Sequence, residues 1–379
     1  MIKPKIAQFI LSMDVGGAER LVRVLSRQLK TEGVENCVCC FDKIEKFQEE
    51  FAKSGVPLRL IKRRPCVFDW KVISPLMKYI KEENVGLIHA HDLSSLTYAV
   101  VAGKLCGTRI IMTEHSRHYV NASWKRRMEK WLFVMAADCL VEVSQDLKTA
   151  SMKREKIPAG RIEVIENGVD IDAFKNADPL PLHQLYNIDD SNILILSVGR
   201  LETIKGQQYL IRAMAEQSLK ALPVHLILVG EGSQKNELIR MAEQLEVSDR
   251  INFLGSRQDI PELMASCDLF VIPSESEGLP FVLLEAIAAG LPVISTEVGG
   301  IPAIIGENER GVLVPPCKPD ALSAAIQKLL NNKGKAHQIS INALQFLHAN
   351  YSQQAMLIKY KRIYEKLLGF KPSSQENQT

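Results

Sequence analysis

The sequence predicts an α/β protein made of two Rossmann-like, doubly wound parallel-sheet domains facing each other across a cleft. Three observations carry this. Short, nearly continuous apolar runs recur along the whole chain, as strands buried on both faces require. Amphipathic stretches such as Ala18 to Leu29 and Gln234 to Leu245 separate them, which is the pattern of crossover helices on a parallel sheet. The chain of 379 residues exceeds what one core usually holds, and its 46% hydrophobic and 24% charged content is ordinary for globular domains.

In order, "KIAQFIL", "CVCCF", "PLRLI", "GLIHAH", "RIIMTEH", "CLVEVS" and "IEVIEN" read as strands of the first series. "ILILSVG", "HLILVG", "INFLG", "LFVIPS", "PVIST" and "GVLV" read as the second. Between them "FKNADPLPLHQLYNIDDS", from Phe174 to Ser191, is rich in Pro, Asp and Asn and poor in period, so the seam is expected there. The expected division is 1–180, 181–350 and 351–379, the last being a helix that crosses back to the first domain plus a polar, disordered tail "KPSSQENQT".

Composition excludes several classes. A net charge of +3 does not argue for nucleic acid. No run of about 20 apolar residues spans a membrane, and the N-terminal stretch lacks a secretory pattern. The eight cysteines sit mostly in strand-like runs, and "CVCC" has no second pair to complete a zinc site. Reduced core thiols and a cytoplasmic location are the expectation. Residues 1–180 hold 29 Lys/Arg against 23 Asp/Glu, whereas the remainder is acidic. Basic clusters at Lys62–Arg64, Lys125–Arg127 and Lys153–Lys156 fit either solvated faces or anionic lipid headgroups. "SWKRRMEKWLFVMAA", from Ser123, fits an interfacial amphipathic helix. It also fits a surface helix with a buried apolar face, which the usual pattern of globular helices favours.

Open parallel sheets bind ligands beyond the C-terminal ends of their strands. That rule selects Gly16 and Gly17, His91 and Asp92, His115, Arg200, Gly230 to Gly232, and Ser274 to Glu277. Arg200 and Lys205 in "SVGRLETIKG" place two cations at a strand–helix junction, an anion site in which Gly206 lets the backbone approach a ligand. A cation about 4 Å from a phosphate oxygen contributes about 4 kcal/mol at an effective dielectric near 20. The "GEG" turn at Gly230 is weaker, because most tight turns of this kind carry glycine for backbone reasons alone. In "SESEGLPFVLLEAIAAGLPVIS", Glu285 is the one charge inside an apolar run, and Glu277 precedes it. Pro280 suits a first helical turn, and the amides of Phe281 and Val282 would meet an anion there. Glu285 is then matched either by a ligand's vicinal diol or by a buried cation of the chain. His89 is expected to bond within the strand layer, and His115 to serve as a neutral hydrogen-bonding group at a strand mouth. A metal site is not expected.

Together these motifs resemble the retaining, GT-B-fold nucleotide-sugar glycosyltransferases of the group 1 or family 4 type. "GGAER", "VIENGVD", "GRLETIKG", "VGEG", "FLGSRQDIPELMASCDLFVIPS" and the pair Glu277 and Glu285, an E-x7-E motif, occur in the family's order over nearly the whole chain. The resemblance implies that Arg200 and Lys205 hold the donor diphosphate, Glu285 the ribose and Glu277 the transferred sugar. It implies further that Gly16 or Gly17 and His115 lie near the donor, and that Ser256 and Arg257 lie near the base. It implies no metal and no cofactor, a nucleotide-sugar (UDP- or GDP-sugar) donor, a glycan or lipid-linked acceptor in cell-envelope polysaccharide or lipopolysaccharide synthesis, and a peripheral place at the inner face of the membrane. The sequence departs from the family at "EGLP", where Pro280 removes an N–H, and at Ala303, where an acidic residue is usual. A non-hydrolysing nucleotide-sugar epimerase on the same fold, or a non-catalytic sugar-nucleotide-binding subunit, are the competing readings.

Overall fold

The computed structural model describes residues 4–14, 16–44, 47–64, 68–115 and 124–369. The tail 371–379, Cys66 and Ser123 lie outside the described residues. The chain divides into two compact units, Met1–Glu166 with Met356–Thr379, and Asn167–Ala355. The Phe174 to Ser191 stretch, where the seam was expected, therefore lies inside the second unit.

The first unit is built on strands β1 (Lys5–Met13), β2 (Asn36–Ile44), β3 (Leu58–Leu60), β4 (Val85–Ala90), β5 (Arg109–Glu114), β6 (Cys139–Glu142) and β7 (Ile162–Val164). Their order is β3-β2-β1-β4-β5-β6-β7, and every pairing is parallel. The sheet reverses direction of growth between β1 and β4, where Phe9 pairs with Cys39 on one side and Ala90 on the other. Strand residues such as Phe9, Ile88, Ile110 and Leu140 are wholly buried, and each large apolar side chain so placed contributes about 1.5–3 kcal/mol. Cys37, Cys39 and Cys40 belong to this core, where burial raises the Cys37 thiol to about 11 and that of Cys40 to about 12. Such thiols are unreactive at neutral pH.

The helix Gly17–Thr31 follows β1 and buries Leu21, Val22, Leu25 and Leu29, one stripe of a 3.6-residue period. Glu19 in its first turn and Lys30 in its last complement the helix dipole. The C-terminal helix Gln353–Leu368 belongs to this unit from Met356 onward. Its buried Tyr360 and Tyr364 reach Thr113 and His89, at 3.2 and 2.7 Å, so hydroxyls on the helix satisfy polar groups on β4 and β5.

The second unit has β8 (Ile193–Val198), β9 (Val224–Val229), β10 (Ile251–Phe253), β11 (Leu269–Ile272), β12 (Val293–Thr296) and β13 (Val312–Val314). They run in parallel in the order β10-β9-β8-β11-β12-β13. Growth reverses between β8 and β11, the topological switch point at which doubly wound sheets take nucleotides. Leu226, Leu228, Leu269, Val271 and Ile294 form the core beneath it.

Candidate active site

The switch point of the second unit gathers the charged residues. After β8 the chain turns through Arg200 and a single 3-10 turn, Thr203–Lys205, to Gly206. After β11 it continues through Pro273, Ser274 and Glu275 to Glu277. The two loops lock together through their backbones. The Glu275 amide donates to the Ile204 carbonyl at 2.9 Å. Gly206 has φ +68°, and a Cβ there would stand 2.0 Å from the Pro273 carbonyl oxygen. Gly206 thus permits a close approach of the neighbouring loop.

This interlock sets Lys205 against Glu277. The ammonium lies 2.7 Å from Oε1 and 2.9 Å from Oε2 of the carboxylate. The Ser274 hydroxyl donates to the same Oε1 at 2.7 Å. Glu277 is 7% exposed, so its charge sits largely away from water and depends on these partners. From below, Gly299 fixes the Glu277 backbone: its φ is +61°, and a Cβ there would meet the Glu277 carbonyl oxygen at 2.1 Å. The Gly300 amide donates to Gly278 at 2.6 Å. Ser274 is held in turn by Thr296, whose hydroxyl donates to the Ser274 carbonyl at 2.6 Å.

Arg200, on the same loop after β8, is exposed, and its charge acts on Glu202. Its carbonyl accepts from the Gln207 side chain at 3.0 Å, which steadies the turn. Gly230 belongs to the next loop, where its amide donates to the Gly255 carbonyl at 2.8 Å.

The helix Phe281–Ala288 starts one residue later than expected. Pro280 is its N-cap, in extended backbone with ψ 128°, rather than a member of the first turn. The Phe281 and Val282 amides stand in that first turn. Asn167 orients the approach to this helix by donating to the Leu279 carbonyl at 2.7 Å. Glu285 is 2% exposed and has an interaction within the chain. Ser256 is exposed, and the Arg257 guanidinium is committed to Asp259, at 2.8 Å from Nε, which raises its pKa.

In the first unit, Gly16 is the extended N-cap of the helix Gly17–Thr31, and a Cβ on it would collide with the Glu19 carboxylate. Asp92 caps the helix Leu93–Tyr98 through the Ser95 amide at 2.8 Å and also accepts from Leu11, a structural role. His115 follows β5, half-buried. Its Nε2 lies 3.3 Å from His91 Nδ1, and His91 Nε2 lies 2.8 Å from the Gln8 side-chain oxygen. Burial lowers His115 to about 4, so it is neutral near pH 7. His89, fully buried, bonds Thr113 and Tyr364, both at 2.7 Å. Among the described residues no group of three His, Cys, Asp or Glu side chains is arranged to hold a metal ion.

Ser274, Gly299 and Asn167 carry parts of this arrangement that the motifs did not assign. Ser274 was selected only as a strand-end residue, and Asn167 stood inside a quoted motif as a spacer. A glycine pair after a strand, as at Gly299 and Gly300, was the available signal for a second close approach.

Two Rossmann-like units, with cations and carboxylates gathered at a switch point, define the architecture of GT-B glycosyltransferases. Comparison with known proteins agrees. The family description "Glycosyl transferases group 1" matches residues 182–346, and "Glycosyltransferase Family 4" matches residues 15–173. The chain belongs to this family and is a group 1, family 4 glycosyltransferase. It is 24% identical to N-acetyl-alpha-D-glucosaminyl L-malate synthase of Bacillus anthracis, over 94% of this chain and 95% of the relative. It is 26% identical to an Escherichia coli UDP-Gal:alpha-D-GlcNAc-diphosphoundecaprenol alpha-1,3-galactosyltransferase, over 87% and 89%. Its fold superposes on that of Anabaena HepE, solved in complex with UDP, with a TM-score of 0.82 at 23% identity, covering 96% of this chain and 100% of that one.

Proposed function

We propose that the protein is a retaining transferase that moves a sugar from a nucleoside diphosphate sugar, UDP- or GDP-linked, to a hydroxyl of a glycan or lipid-linked acceptor of the cell envelope. The observation that carries this is the Lys205–Glu277 pair at the switch point, on the loop that also carries Arg200. It offers cations for a pyrophosphate and a carboxylate for sugar hydroxyls within one cluster. The E. coli relative acts on a diphosphoundecaprenol acceptor, and Anabaena HepE binds UDP-glucose, which supports the donor and acceptor classes.

In this reading Arg200 and Lys205 hold the diphosphate with the Phe281 and Val282 amides. Glu277 accepts from hydroxyls of the transferred sugar, and Glu285 from the ribose. Backbone near Ser256 and Arg257 meets the base. In the first unit, the Gly16–Gly17 turn follows β1 and neutral His115 follows β5, where they would meet sugar or acceptor hydroxyls. The bond from the anomeric carbon to the phosphate oxygen breaks as the acceptor oxygen attacks from the same face. The acceptor's proton passes to the departing phosphate. Negative charge grows on that phosphate oxygen, and the two cations stabilise the transition state more than the ground state. These side chains would serve the leaving group without a metal clamp. The enzyme would work in the cytoplasm, with a peripheral contact to the inner membrane face through the basic first unit.

The test is a panel of UDP, GDP and ADP sugars, each incubated with and without candidate acceptors, with and without EDTA. Acceptor-dependent release of one nucleoside diphosphate, and an anomeric proton signal of unchanged configuration in the product, support the proposal. Conversion of a nucleotide sugar without acceptor points to the epimerase instead. No ligand-induced thermal shift across the panel contradicts both.

A further inference from the structure

The helix Trp124–Ala136 leaves its widest apolar stripe exposed. Trp124, Met128, Trp131, Leu132 and Met135 fall within one arc of about 100° on it. Trp124 is 61%, Met128 51% and Leu132 54% exposed, and Trp131 is exposed with them. The face turned inward carries Lys130, 2% exposed, with its ammonium 3.1 Å from Glu114 and 2.7 Å from Glu155. The buried Glu142 carboxyl lies near the same ammonium. Val134 and Phe133 also pack inward, so the expected buried apolar face is present, but the wider apolar stripe is the exposed one.

The exposure is fixed by the ion cluster. Rolling the helix to hide its apolar stripe would withdraw Lys130 from the buried carboxylates of Glu114 and Glu155 and leave them uncompensated. The stripe is also framed by charge. Lys125 lies on one flank and Arg127 on the other, at the angular positions from which long cations reach past an apolar surface toward phosphates. Two tryptophans seven residues apart suit the boundary between acyl chains and headgroups.

We propose that this stripe, Trp124, Met128, Trp131 and Leu132 flanked by Lys125 and Arg127, is the surface on which the protein docks to an anionic lipid bilayer. The proposal rests on the reading above that the acceptor is lipid-linked, and it assigns the contact to one helix. A second copy of this chain is the less suitable occupant. An isologous contact would set Lys125 and Arg127 of both copies along one seam, while Glu129, the acid of this helix, already accepts from Arg126 at 2.7 Å.

The test uses the full chain and sedimentation with phosphatidylcholine vesicles, with or without about 30 mol% phosphatidylglycerol. The protein should bind the anionic vesicles about tenfold more strongly than the neutral ones. In a Trp70→Phe background, fluorescence of the two remaining tryptophans should shift blue on binding. Met128→Ser/Leu132→Ser and Lys125→Gln/Arg127→Gln should each weaken binding about tenfold, with the fold intact by circular dichroism. The thermal shift given by the nucleotide panel should be unchanged in both. Three results would overturn the proposal. The unaltered chain fails to sediment with anionic vesicles, the serine variant sediments as well as it does, or the chain is a dimer that the serine variant dissociates with vesicle binding unaffected. Vesicle failure with nucleotide binding retained strikes only this proposal. Loss of nucleotide binding or turnover with vesicle binding retained strikes only the catalytic one.

Discussion

The Lys205 ammonium sits 2.7 Å from Glu277 Oε1 and 2.9 Å from Oε2, across 72 positions of sequence. Each side chain holds the other where the donor is expected, and a bound pyrophosphate would have to share or displace this partnership. Lys205→Ala should lower kcat/KM by about 10²- to 10³-fold, the usual loss for one preorganised charge in a transition-state site. Glu277→Gln should do so by a similar factor. Because the groups touch, the double variant should lose less than the product of the two single losses, and a double-mutant cycle measures this. Strict additivity would mean that the pair does not act as a unit.

Gly206 and Gly299 should resist substitution for a steric reason independent of any ligand. Gly206→Ala places a Cβ 2.0 Å from the Pro273 oxygen in a left-handed backbone. Gly299→Ala does the same at 2.1 Å from the Glu277 oxygen. Each should destabilise the second unit by about 2–4 kcal/mol and weaken nucleotide binding by misplacing Glu277. Chemical denaturation checks the first effect and thermal shift the second. An alanine variant of unaltered stability would show that the loops do not interlock as described.

Acid should destabilise the first unit through its histidines. His89, His91 and His115 are all held below their ordinary pKa of 6.5 by burial, and His115 falls to about 4. The unfolded chain then takes up protons near pH 6.5 that the folded chain refuses. Their stabilising contribution is complete above that pH and is lost as pH falls toward about 4. Gln replacing His91 should flatten this loss in pH-dependent denaturation. An unchanged slope would contradict the burial of a neutral ring.

Glu142 should act in the opposite sense. Burial raises its pKa from 4.5 to about 8, against the attraction of Lys130. The folded state holds a proton that the unfolded state gives up, so the contribution is present below pH 4.5 and is lost as pH rises through about 8. Glu142→Gln should make the chain more stable than the unaltered protein at alkaline pH, with little change near pH 4. Lys130→Met, by contrast, should cost about 3–5 kcal/mol, because it leaves buried carboxylates unmatched. If Glu142→Gln destabilised the protein equally at both pH values, the carboxyl would not be protonated in the folded state.

The strands were legible because each is a short apolar run ended by Gly, Pro or a polar residue, as "LFVIPS" is. The candidate residues at strand ends were legible for the same reason. The Lys205–Glu277 pair was not, since it depends on β8 lying beside β11, a property of sheet order rather than of either loop. Sequence marked Gly206 as a place of close approach but could not say that Pro273 occupies it. In the Trp124 helix, amphipathic spacing showed two faces without showing which one is inside. That was decided by Glu114, Glu142 and Glu155, which come from three other elements. The place of Asn167, whose bond to Leu279 joins segments 112 residues apart, was invisible on similar grounds.

The central claim is that the cluster at the switch point between β8 and β11 grips a sugar donor's pyrophosphate. A crystal structure with the nucleotide sugar that gives the largest thermal shift tests it most directly. The account predicts phosphate oxygens within about 3 Å of Lys205 Nζ and the Arg200 guanidinium, with sugar hydroxyls on Glu277. A nucleotide bound elsewhere, with the Lys205–Glu277 pair undisturbed, would contradict it.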